Sequence, residues 1–189
     1  MPILGILASS TPVAAGSFES IATVTVGSGG AANVEFTSIP NTYTHLQIRA
    51  FGRTDLNASG ANTGTYAIMR FNGETTNTNY SIHRLQGDGS SASAYGATST
   101  NFFERFAKAN DTASIFGTII FDILDYANTN KYKTVRQFGG VDFNGSGVVV
   151  LISSLWQSTS AITSIKFTAE SSANYVQYSH YALYGIKSA

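Results

Sequence analysis

The sequence predicts an all-β chain: a single antiparallel β-sandwich of jelly-roll type, preceded by a short N-terminal arm. Three observations predict it. Charged residues make up only 12% of the 189 residues, while aromatics reach 12% and glycine numbers 18; β-branched and aromatic residues suit strands, and Gly and Asn suit turns. Short stretches of alternating polarity recur, separated by turn signals about every ten residues, the spacing of sandwiches and barrels. No helical segments alternate with these stretches, which argues against a parallel α/β arrangement.

The elements follow in order. Residues 1–16 form the arm and 17–189 the sandwich domain. In the arm, Ile3, Leu4, Ile6 and Leu7 make an apolar cluster, and no charge occurs before Glu19. The cluster is shorter than a secretory leader requires and lacks a basic n-region; it reads as an apolar anchor into a partner or a segment docking on the chain's own surface. "SFESIATVTV" (17–26) and "NVEFTSI" (33–39) form a hairpin around "GSGG". "THLQIRAFGR" (44–53), "TYAIMRFNG" (65–73) and "NYSIHRLQG" (79–87) follow as strands. "NFFERFAKAN" (101–110) reads as a short helix. "SIFGTIIFDILDY" (114–126), apolar on both faces, reads as a strand buried on both sides. "YKTVRQFGGVDF" (132–143), "GVVVLISSLW" (147–156), "AITSIKFTA" (161–169) and "VQYSHYALYGIK" (176–187) complete about ten strands. The polar stretches 54–64 and 86–100 read as surface loops at the exposed end.

The last strand poses a question of coverage. Strand geometry puts Tyr178, His180, Ala182, Tyr184 and Ile186 on one face and Ser179, Tyr181, Leu183, Gly185 and Lys187 on the other. The first face is the more continuous and is expected in the core. Tyr181 and Leu183 are then expected to face a second subunit or the N-terminal arm, as an interface pair.

Composition also bounds the chemistry. Eleven basic and eleven acidic residues balance to zero, which gives no electrostatic footprint for nucleic acid. No run approaches the ~20 apolar residues of a membrane-crossing helix. There is no cysteine, so disulfides, thiolate metal sites and thiol catalysis are out of reach. His45, His83 and His180 stand apart, without the spacing of a metal site. Asp122, Asp125, Asn128 and Asn130 cluster, as does Asp88 with its neighbours, but neither has the alternation of a calcium loop; both read as Asx-rich turns. No serine sits in a nucleophile-elbow motif, and "GSGG" lacks the lysine and helix of a phosphate loop. No catalytic residue, metal or cofactor is expected. Phe51, Tyr95, Trp156 and Tyr175 are the aromatics expected at the surface, with Tyr95 and Trp156 the candidates for stacking on a sugar ring.

Beyond these readings, "MPILGILASS" followed by "FESIATVTVGSGGAANVEFTSIPNTYTHLQIRAFGR" resembles small structural proteins of tailed bacteriophages, notably those of marine and cyanobacterial viruses. "QGDGSSASAYGA", "ASIFGTIIFDILDYANTNKYKTVRQFGG", "NGSGVVVLISSLWQSTSAITSIKF" and "YALYGIK" are similar to the same pattern, so the resemblance spans nearly the whole chain. It implies a virion component without enzymatic activity, assembled in the bacterial cytoplasm. A capsid decoration, a head fibre and a tail fibre component fit equally. The partners implied are other capsid or tail proteins and copies of the chain itself, with a trimer the expected oligomer. The alternative is a carbohydrate-binding module of a phage fibre that recognises a host-surface glycan.

Overall fold

The computed structural model describes residues 16–60, 64–100 and 102–187. Its strands are β1 (Phe18–Thr25), β2 (Asn33–Phe36), β3 (His45–Gly52), β4 (Thr65–Phe71), β5 (Tyr80–Gly87), β6 (Ala92–Thr98), β7 (Phe102–Phe106), β8 (Gly117–Leu124), β9 (Lys133–Asp142), β10 (Gly147–Trp156), β11 (Ile165–Ala169) and β12 (His180–Ile186). One 3₁₀ turn, Glu170–Ser172, follows β11. Every pairing between named strands is antiparallel.

The strands divide into an eight-stranded sheet, ordered β1-β12-β3-β8-β9-β10-β5-β6, and a four-stranded sheet, ordered β2-β11-β4-β7. The all-β sandwich is therefore as expected. A division into eight and four strands gives the jelly-roll refinement no support, since that arrangement folds eight strands as two Greek keys.

The core lies between the sheets and is strongly aromatic. Phe121 of β8 meets Phe167 of β11, with ring centroids 5.5 Å apart. Phe167 meets Tyr181 of β12 at 4.9 Å. Tyr181 also reaches Phe106 at 6.1 Å and Tyr175 at 5.5 Å. At the other end Phe71 packs on Trp156 at 5.3 Å. Tilted and edge-to-face pairs of this kind add to the stabilisation that burial alone provides.

Two sequence readings are corrected here. "NFFERFAKAN" holds strand β7, paired with β4 from Thr65↔Phe106 to Met69↔Phe102; its apolar positions fit period two as well as a helical turn, and the free edge of β4 decides between them. The stretch 86–100 is the tip and second half of a hairpin. Its turn is built by Asp88, whose Oδ1 accepts the amides of Ser90 and Ser91 at 2.8 and 2.7 Å; these hydrogen bonds, with those of Ser91 foremost, hold the Asp88 carboxyl below its ordinary pKa.

Where loops lack strand partners, cationic side chains satisfy their carbonyls, as the cost of an unpaired backbone group demands. Lys133 is fully buried. Its Nζ donates to the carbonyls of Asn128 at 2.6 Å, Lys131 at 3.0 Å and Thr159 at 3.2 Å, tying the β8–β9 connection to the β10–β11 connection. Burial lowers the pKa of its ammonium. Arg53 does the same for residues 109–115, donating to the carbonyls of Ala109, Asp111, Thr112 and Ile115 at 2.8–3.1 Å.

Candidate functional site: the outer face of the large sheet

Strand register stacks side chains into rows across a sheet. On the outer face of the large sheet, one row runs Arg49–Ile120–Phe138–Leu151–Leu85 across β3, β8, β9, β10 and β5. Four of its five members are large and apolar, and Phe138, Leu151 and Leu85 are each more than half exposed. A parallel row runs Phe51–Thr118–Gly140–Val149. The next row on the other side, Gln47–Asp122–Arg136–Ser153–His83, is polar throughout. The face is thus striped, with an apolar band bounded by a polar one.

The band is concave. A depression of about 1080 Å³ lies over its Arg49–Ile120–Phe138 part, from Phe51 and Phe116 on one side to Val149 on the other, while Leu151 and Leu85 line a separate hollow beside Tyr95. Its floor follows from sequence. Gly139 and Gly140 interrupt β9 in mid-strand, where glycine marks a close backbone approach. A Cβ on Gly139 would meet the carbonyl oxygen of Thr118, and one on Gly140 that of Val148. With no side chain at 140, the row sinks between Thr118 and Val149.

One margin of the depression is aromatic and ordered. Phe18 of β1 stacks on Tyr184 of β12 at 4.8 Å, and the Arg49 guanidinium lies 5.4 and 5.6 Å from the two ring centroids. Arg49 Nε donates to Gln47 Oε1 at 2.9 Å, and Gln47 Nε2 donates to Asp122 Oδ1 at 2.8 Å. Further along, Phe51 stacks on His180 at 5.2 Å and meets Phe116 edge-on at 6.3 Å.

The structure redistributes the residues singled out in sequence. Tyr181 and Leu183 are fully buried in the chain's own core, so neither offers a surface to a second subunit. The faces of β12 are reversed: Tyr181 and Leu183 point inward, while His180 and Tyr184 flank the outer depression. Tyr178 precedes the strand in a left-handed turn (φ 74°) and is exposed. Trp156 is buried, and its Nε1 donates to Glu74 Oε2 at 2.6 Å; it cannot stack on a sugar. Tyr175 is also fully buried. Tyr95 and Phe51 are exposed; the Arg84 guanidinium lies over the Tyr95 ring at 5.4 Å. Ile3, Leu4, Ile6 and Leu7 lie outside the described residues.

The candidate ligating groups serve local structure. Asp122 accepts from Gln47 and faces Arg136 at 3.9 Å. Asp125 pairs with Lys131, whose hydrogen bond holds its carboxyl below the ordinary value. Asn128 Oδ1 accepts the amide of Asn130 at 2.8 Å. His45 accepts the amide of Asp125 at 2.9 Å, and His180 Nδ1 lies 2.9 Å from the Thr25 hydroxyl. Among the described residues, no three His, Asp or Glu side chains gather as a metal site would need.

Sequence reasoning missed the apolar band itself. Its members stand in the sequence as alternate residues of β5, β8, β9 and β10; the missing quantity was the register that lines them up.

An all-β sandwich with an apolar band on one outer face defines the class of this protein as far as fold and surface go. No protein-family model, no curated protein and no solved structure matches the chain.

Proposed function

We propose that the chain is a structural protein of a bacteriophage particle, displayed on the particle surface as a capsid decoration, head fibre or tail fibre component, and held there by protein–protein contact. The observation that carries this reading is the apolar band. A contiguous exposed patch of this kind, rimmed by polar residues, is the mark of an interaction surface. Fully burying an exposed side chain of this size contributes about 1.5–3 kcal/mol; Leu85, Phe138 and Leu151 are already nearly half covered, so covering the rest contributes about half of that each, a few kcal/mol for the three together. The resemblance to phage structural proteins supplies the setting. Assembly then takes place in the host bacterial cytoplasm, with other capsid or tail proteins and copies of the chain as partners and a trimer as the favoured oligomer. The alternative, recognition of a host-surface glycan, retains Tyr95 as its stacking residue and loses Trp156.

The test uses particles of a phage that encodes this chain, purified through a density gradient and analysed by quantitative mass spectrometry. The chain is expected to remain with the particles in a fixed stoichiometry to the major capsid or tail protein. Its absence from purified particles would remove the virion reading.

A further inference from the structure

We propose that strand β6 pairs antiparallel with β6 of a second copy, across a two-fold axis at Ala94, so that two eight-stranded sheets become one continuous sheet. The contact is separate from the outer-face depression. It joins copies in pairs, and a trimer needs a different surface.

The sheet edges carry the argument. An edge strand offers a row of unpaired backbone groups, and proteins blunt such edges with charge, proline, a bulge or shortness. The four edge strands here are β1 and β6 of the large sheet and β2 and β7 of the small one. β1 carries Glu19 and a register shift between Ser20 and Ala22. β2 has four residues, Glu35 among them, and β7 has five, with Glu104 and Arg105. β6, "ASAYGAT", has seven residues with no charge and no proline. Its register with β5 runs unbroken from Ser81↔Thr98 to Gly87↔Ala92. Six of its seven residues are exposed, on both faces of the strand. An uncharged strand meets its own copy without repulsion. Every other described strand already has its place in a sheet. β1, near the start of the described chain, lies at the opposite edge, seven strand spacings away, about 34 Å.

Two rows of side chains select a second copy and fix the register. With Ala94 opposite itself, Ser93 faces the partner's Tyr95. On the outer face, Leu151 is paired with Leu85 and Leu85 with Ala94. The row Leu151–Leu85–Ala94 then continues through the axis into the same three residues of the second copy, apolar throughout. On the other face, Gln86 is paired with Ser93 and Arg84 with Tyr95. Gln86 Oε1 is buried and accepts no hydrogen bond among the described residues, a costly state for a polar atom. Tyr95 is 49% exposed. In the paired state the partner's Tyr95 stands beside Ser93, in line with Gln86, and its hydroxyl donates to Gln86 Oε1. A two-fold contact is self-complementary, so this hydrogen bond forms twice, once on each side of the axis.

Sedimentation velocity of the full chain tests the pairing. Ala94→Lys and Ala94→Glu each set like charges face to face at the axis. Ala94 is exposed, so both variants are expected to keep the far-ultraviolet circular dichroism of the unmodified chain. The unmodified chain is expected to sediment as an assembly of even copy number, and each variant alone at half that mass. An equal mixture of the two variants brings opposite charges together where position 94 meets itself, and is expected to restore the full mass. Tyr95→Phe keeps the ring and removes the donor; it is expected to raise the dissociation constant of the pair about tenfold. A monomeric unmodified chain, charged variants that keep the full mass, a mixture that stays at half mass, or an unchanged dissociation constant for Tyr95→Phe would each overturn the proposal. None of these measurements involves phage particles, so the pairing and the virion reading fail separately.

Discussion

Replacing Tyr181 and Leu183 together by serine is expected to unfold the chain, not to dissociate it. Both side chains are fully buried between the sheets. Tyr181 contacts Phe106, Phe167 and Tyr175, three rings that come from β7, β11 and the segment before β12. Removing a buried aromatic costs about 3–5 kcal/mol and a buried leucine about 2–5 kcal/mol, through lost transfer energy and the cavity left behind. Their sum, about 5–10 kcal/mol, is comparable to the whole stability of a typical domain, about 5–15 kcal/mol. Circular dichroism of the double variant should lack the sheet signal and a cooperative thermal transition. A folded double variant of reduced size would instead restore these residues to a subunit interface.

The second large effect belongs to the glycine pair of β9. Gly139→Ala places a Cβ on the carbonyl of Thr118 and 2.8 Å from the Ile119 Cα; Gly140→Ala places one on the carbonyl of Val148. The obstacles are backbone atoms of the two strands that flank β9 in mid-sheet, so they yield only if the ladder itself is distorted. A cost of about 3 kcal/mol per substitution is expected, which lowers the melting temperature of a chain this size by about 10 °C. Gly27→Ala is the control: a Cβ there meets nothing within 4 Å, and the change expected is under about 0.5 kcal/mol. Equal melting temperatures for all three variants would contradict the close approach that forms the floor of the depression.

How much of this was legible in the sequence depends on the range of the interaction. Alternation and turn chemistry act over a few residues, and they located nearly every strand. Strand β7 escaped because five residues rich in phenylalanine satisfy two periods equally, and only its pairing with β4 settles the matter. Strand β6 escaped because "ASAYGAT" carries little apolar patterning of its own; it is held by β5 from Ser81↔Thr98 to Gly87↔Ala92. The inversion of β12 has the same origin. Its two faces are nearly equal in apolar content, so composition could not choose between them. The choice is made by long-range packing: the aromatic cluster around Phe167 takes Tyr181, while Phe18 and Arg49 take Tyr184. The apolar band was least legible of all, because it is a product of register across five strands, of which β3 and β5 are far in the chain from the consecutive β8, β9 and β10. What the sequence did mark was its floor, in the "FGG" of β9, and the uncharged aliphatic segment at the start of the chain.

The central claim, that the outer face of the large sheet is covered by protein in the assembled state, is tested most directly by carbene footprinting of the chain within purified particles. Leu85, Phe138 and Leu151 of the band are 55%, 58% and 54% exposed, and Tyr132 and Tyr178, outside it, are 52% and 65% exposed. In the particle, labelling of the three band residues is expected to fall far below that of the two tyrosines. Equal labelling of the two groups would contradict the account.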